Sequence, residues 1–101
     1  MLDPTSLASV AFSYARWLRE TEQWDAMMLF SFVIHPVIGR MAGSGRTKVA
    51  DLTPAMVRRA LLIASQDHID NELAYGAWVD FLNFLDQEGI AHRDDLLDQA
   101  S

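Results

Sequence analysis

Cysteine is absent from this 101-residue chain, so disulfides and cysteine-ligated zinc or iron–sulfur centres are excluded. Basic residues are also few. Eight Lys and Arg stand against fourteen Asp and Glu, and the net charge of −6 disfavours a generic nucleic-acid coat or an anionic membrane surface as partner. Repeats and low-complexity tracts are absent too, and a length of 101 residues leaves room for one domain, so a single domain over residues 1–101 is the expectation. The first twenty residues carry Asp3 and Pro4 but no basic run, so no secretory signal is expected. The most apolar stretch, Ala26 to Gly39, is broken by Ser31, His35 and Pro36 and reads as too short to span a bilayer. These absences point to a cytoplasmic protein without a membrane partner.

Half of the residues are apolar and 22% are charged, a balance that supports a packed core rather than disorder. A chain this short still buries only about 60–65% of its unfolded surface. Its charge is unevenly spread. Residues 1–38 carry a net −2, and residues 60–101 hold nine acids against Arg93 alone, a net −8. Between them, residues 39–59 set Arg40, Arg46, Lys48, Arg58 and Arg59 against Asp51, a net +4.

Periodicity predicts an all-α fold, a bundle of four main helices with room for a short C-terminal fifth. Asp3-Pro4 is an N-cap followed by proline at the first helical position. Ser6, Ser9, Ser13, Arg16 and Glu20 then form one narrow polar stripe, leaving Leu7, Val10, Ala11, Tyr14, Trp17 and Leu18 on the rest of the first helix. A second helix from Thr21 or Glu22 has almost no polar face over residues 26–38. Phe32 and Val33 are expected in its buried centre, and Pro36 should kink or end it near Phe32 to His35. Phe30 to Ile34 also fits a short buried strand, but no partner strand is evident. Gly39 to Asp51, with three glycines, reads as a basic loop. Thr53-Pro54 opens a third helix, and Asp67 with Asp70 caps the start of a fourth. On that helix Glu72, Gly76, Asp80, Asn83 and Gln87 form the polar stripe, and Gly89 terminates it. Ile90, Leu96 and Leu97 would pin the short fifth helix.

Chemistry-bearing motifs are weak. Gly43-Ser44-Gly45-Arg46-Thr47 looks like the end of a phosphate-binding loop, but Arg46 takes the lysine position and Arg40 stands where the first glycine belongs. His68 and Glu72, spaced i, i+4 with Asp67 and Asp70 nearby, have the spacing of a metal pair, yet an acidic helix start explains them equally well. His35 fits a hydrogen-bonded core histidine beside the kink, and His92 falls in a tail. No nucleophile is paired with a base, so no catalytic residue, metal or cofactor is assigned and an enzyme is not expected.

Two functional readings follow. The favoured one is a non-enzymatic protein–protein interaction module, a small acidic helical inhibitor or adaptor of the phage anti-defence or bacterial immunity type. Its partner would be another protein with a basic surface. The apolar arcs are wider than a four-helix monomer needs, so a homodimer is expected, with Tyr14, Trp17, Trp78, Phe81 and Leu82 as candidate contacts. The alternative is a helical nucleic-acid-binding domain. Leu52 to Gly89, a Thr-Pro helix start followed by a long helix with Phe81-Leu82-Asn83-Phe84-Leu85, is similar to the helical core-binding domain of tyrosine recombinases. That resemblance, which spans under half the chain and has no catalytic domain with it, implies phosphate contacts from Arg40, Arg46, Lys48, Arg58 and Arg59.

Overall fold

The computed structural model describes residues 6–98. In order they form α1 (Leu7–Glu20), α2 (Trp24–Leu29), a π-helical turn (Phe30–Ile34), α3 (His35–Gly43), a 3-10 turn (Val49–Asp51), α4 (Pro54–Gln66) and α5 (Asn71–Gln87). The segments from α2 to α3 follow one another without a break, so the architecture is four helical rods, as the periodicity predicts. No strand occurs among the described residues; the one extended pairing is an isolated bridge between Ser6 and Lys48.

The helix starts follow their caps. Ser6 precedes α1 and accepts a hydrogen bond from the Ser9 amide at 3.5 Å, while the predicted Asp3-Pro4 start lies outside the described residues. Thr53 accepts from the Met56 amide at 3.3 Å with Pro54 opening α4, as read from the sequence. Asp70 caps α5 through the amides of Glu72, at 2.8 Å, and Leu73, at 3.4 Å. Asp67, expected to share that task, instead closes the C-terminus of α4. Gly89 follows α5 with φ +71°, the left-handed conformation that glycine adopts without strain.

The kink expected at Pro36 is a π-turn. Proline has no amide hydrogen to offer the Phe32 carbonyl, and its ring crowds that carbonyl, so a regular α-turn is unfavourable there. The His35 amide reaches back five residues to the Phe30 carbonyl instead. The Ser31 hydroxyl donates to the Met27 carbonyl at 3.0 Å, one turn earlier. This wider turn shifts the phase of the helix. Phe30, Val33 and Ile34 are buried, but Phe32, expected in the core beside Val33, is 62% exposed.

The basic loop is shorter than residues 39–51. Helix α3 continues through Gly39 to Gly43 because Val37, Ile38 and Met41 bury its inner face, and packing outweighs glycine's poor helix propensity. The connection is tied at its far end: the Leu7 amide donates to the Thr47 carbonyl at 2.8 Å, and Val49 and Leu52 are buried. Beyond Gly89 the described residues form turns rather than a fifth helix, although Leu96 is buried and Ile90 and Leu97 pack against the core.

One aromatic cluster organises the interior. The Tyr14 ring lies 5.2 Å from Phe30, 5.2 Å from Phe81 and 5.0 Å from Phe84 between ring centroids, joining α1 to the π-turn and to α5. Trp78 stands edge-on to Phe81 and is fully enclosed, and its Nε1–H has no hydrogen-bond partner among the described residues. Burial, with Asp80 nearby, pushes the Tyr14 phenol up to about 12.

Candidate binding surfaces

Tyr14, Trp78, Phe81 and Leu82, four of the five residues expected at an intermolecular contact, are core residues in the fold. Their surface is already covered by the chain itself, so they offer nothing to a partner. The reason lies in the polar stripe of α5: Asp80, Asn83 and Gln87 are exposed as predicted, but the other three helical rods enclose most of the remaining circumference. Trp17 alone of the five remains at the surface, beside Phe84 at 5.5 Å.

The apolar surplus is elsewhere. Phe12 on α1 is 65% exposed, and Trp24, Met28 and Phe32, which step by four along the second rod, are all more than half exposed. Between α1 and this rod runs a groove of about 560 Å³. Small residues keep its floor open, with Ala8, Ala11 and Ala15 on one wall and Gly39 and Ala42 on the other. No Asp, Glu, Lys or Arg lines it. Ser31 and His35 are the polar side chains on its wall. His35, expected in the core, is exposed there with its ring edge toward Phe30 at 6.2 Å. The continuous helix Trp24–Gly43 is 20 residues long, and by length and composition alone it is apolar enough to cross a membrane, contrary to the shorter stretch read from the sequence. A core helix passes the same test, and the buried side of this one, from Phe30 to Met41, is part of the bundle interior.

The basic residues divide differently from their order in the sequence. Arg40 from α3, Arg46 from the connection and Arg59 from α4 line one cleft of about 420 Å³, together with Ser44, Thr53 and an apolar floor that includes Val37, Met41 and Met56. Arg58 and Lys48 are exposed but do not line it. Asp51, the single acid of this segment, accepts a hydrogen bond from the Lys48 amide at 3.1 Å.

The chain matches no protein-family model, and no curated protein and no solved structure is significantly similar to it. The likeness of Leu52 to Gly89 to a recombinase domain therefore rests on its residue types alone.

Other motifs resolve into local structure. The Gly43 to Thr47 segment joins a helix end to a 3-10 turn, with Gly45 at φ +82°, so it lacks the strand-to-helix setting of a phosphate loop. His68 and Glu72 are not on one helix: α4 ends at Gln66, α5 begins at Asn71, and His68 sits in the turn with φ +65°. No group of three metal-ligating side chains occurs among the described residues. His92, read as an uninformative tail residue, clips the C-terminal segment to α5. Its Nδ1 lies 2.8 Å from the Arg93 carbonyl and its Nε2 2.8 Å from the Asp86 carboxylate. Both partners are acceptors, so the ring satisfies both only when doubly protonated. Burial opposes that charge, but the two hydrogen bonds and the Asp86 charge outweigh it and raise the His92 pKa. The clip was invisible because nothing in the spacing of Asp86 and His92 announces that the chain doubles back after Gly89.

Proposed function

We propose that this protein is a non-enzymatic protein-binding module that associates through the groove face of α1 and the Trp24–Gly43 helix, with a second copy of the chain as the occupant. The observation that carries this reading is an apolar groove whose lining holds no formal charge, with the exposed side chains of Phe12, Trp24, Met28 and Phe32 on the two helices that form it. At their observed exposures Phe12, Trp24, Met28 and Phe32 leave roughly 400–500 Å² of side chain in water. That reaches the upper range of what soluble monomers show, and with the groove walls it comes to about 600 Å² per partner, the low end of stable interfaces. Projecting rings beside a groove with small residues on both walls supply both a projection and a recess, the two parts that a twofold contact pairs. The dimer would place its acidic side chains, Glu72, Asp80 and Asp86 on α5 among them, outside the contact. A small acidic inhibitor or adaptor uses such a surface to meet a basic one on its target.

Light scattering across a hundredfold dilution tests the proposal. The expected result is a species of twice the 11.4 kDa chain mass that dissociates on dilution and is absent in the double variant Phe12→Ser, Phe32→Ser. A monomer at every concentration, or association that survives the double substitution, overturns it. Partition of the chain into neutral lipid vesicles through the same face would replace a protein partner with a membrane.

A further inference from the structure

We infer that the cleft between α3 and the N-terminus of α4 is a binding site for a small phosphate-bearing ligand with an apolar body, a molecule of nucleotide size. Three of the eight basic residues of an acidic chain converge on it from three separate elements: Arg40 from α3, Arg46 from the connection and Arg59 from the second turn of α4. No acidic residue lines the cleft, and none of the three guanidinium groups has a hydrogen bond or ion pair among the described residues. Two arginines elsewhere are paired with carboxylates, while Arg19 and Arg58 stand unpaired among the described residues at separate surface positions. Arg16 binds Glu20 at 3.0 Å, and Arg93 binds Asp95 at 2.7 Å. Three like charges around one hollow set up a positive field that favours an anion there.

The floor defines the rest of the ligand. Val37, Met41 and Met56 offer an apolar, adaptable surface beneath the arginine rim, and methionine adjusts readily to a flat ring. Thr53 and Ala55 bring the first turn of α4 to the same cleft, so the positive end of that helix adds to the arginine field. A bare inorganic anion would use the rim and leave the floor wet. A nucleic-acid duplex would need phosphate contacts spread along a surface, but Arg58 and Lys48 lie outside the hollow. The volume of about 420 Å³ falls within the range of small-molecule sites. No residue lines both this cleft and the groove proposed for self-association, so the two inferences stand independently.

Calorimetric titration at low salt with adenosine monophosphate, inorganic phosphate and a short DNA duplex tests the site. The nucleotide should bind saturably and more tightly than inorganic phosphate. Arg40→Ala, Arg46→Ala and Arg59→Ala should each weaken it by about tenfold or more, as loss of a charge-assisted hydrogen bond does. Arg58→Ala, one residue away but outside the cleft, should leave the affinity unchanged. Met56→Ala should weaken the nucleotide and spare inorganic phosphate. Absence of saturable nucleotide binding overturns the inference, as does equal weakening by Arg58→Ala. Preference for the duplex, with all five basic residues contributing alike, would replace the cleft by a nucleic-acid surface.

Discussion

The interior cluster around Tyr14 and the outer face around Phe12 are made of the same kinds of residue and have opposite fates. Tyr14, Phe30, Phe81 and Phe84 interlock within one chain, whereas Phe12, Met28 and Phe32 stand in water. Phe12 and Tyr14 are two residues apart on one helix, and Phe30 and Phe32 are two apart on another. Two residues turn a helix by roughly 200°. Side-chain type therefore decides what is buried in total, and helical phase decides which surface is left for a partner.

Truncation should separate the two regions most sharply. Phe81→Ala, in the fully enclosed centre, is expected to cost ~3–5 kcal/mol, a large share of the ~5–10 kcal/mol available to a small domain. Phe32→Ala should change the stability of the monomer by under ~1 kcal/mol, because the ring is mostly solvated there. Urea denaturation of both variants checks this, and equal losses would mean that Phe32 is packed inside.

A smaller effect is expected at Trp78. Its indole N–H is buried without an acceptor among the described residues, which costs about 1–3 kcal/mol. Trp78→Phe removes that donor along with part of the ring, so it should destabilise clearly less than Phe81→Ala under the same denaturation. A loss as large as that of Phe81→Ala would mean that the lost ring volume, or an acceptor for the N–H, outweighs the relief of the buried donor.

The C-terminal clip should respond to pH. With the folded pKa of His92 raised, the protonated ring contributes stability that is complete below the ordinary histidine value near 6.5. That contribution is lost as pH rises through the folded value. Amide exchange of residues 90–98, corrected for intrinsic rates, should be slower at pH 5.5 than at pH 8. His92→Gln should remove most of the difference, and a difference that survives the substitution would assign it to another group.

The smallest expected effect is at the basic connection. Arg46→Ala should leave the melting temperature nearly unchanged, because the segment is anchored by the Leu7–Thr47 backbone bond and by buried Val49 rather than by that guanidinium. A large drop in the thermal scan would mean that Arg46 holds the connection in place.

Where a polar stripe existed, the sequence revealed the fold. The steps through Asp80, Asn83 and Gln87 fixed the phase of α5, and Thr53-Pro54 fixed the start of α4. The Trp24–Gly43 helix had no such stripe over residues 26–38, so nothing set its phase, and the π-turn before Pro36 then displaced the pattern that a regular helix would follow. That is why Val33 was placed correctly and Phe32 was not. The basic segment was legible as charge. Its convergence was not, because Arg40, Arg46 and Arg59 meet only when α3 runs on to Gly43 and the chain returns past the start of α1 to begin α4.

The division between a spent aromatic core and an exposed apolar groove face is tested most directly by backbone amide NMR spectra recorded through a hundredfold dilution. Shifts are predicted to concentrate in residues 8–15 and 24–42, with outward-facing positions such as Phe12, Ser31 and Phe32 moving most and residues 54–85 staying still. Shifts centred on α4 and α5, or none at any concentration, would contradict the account.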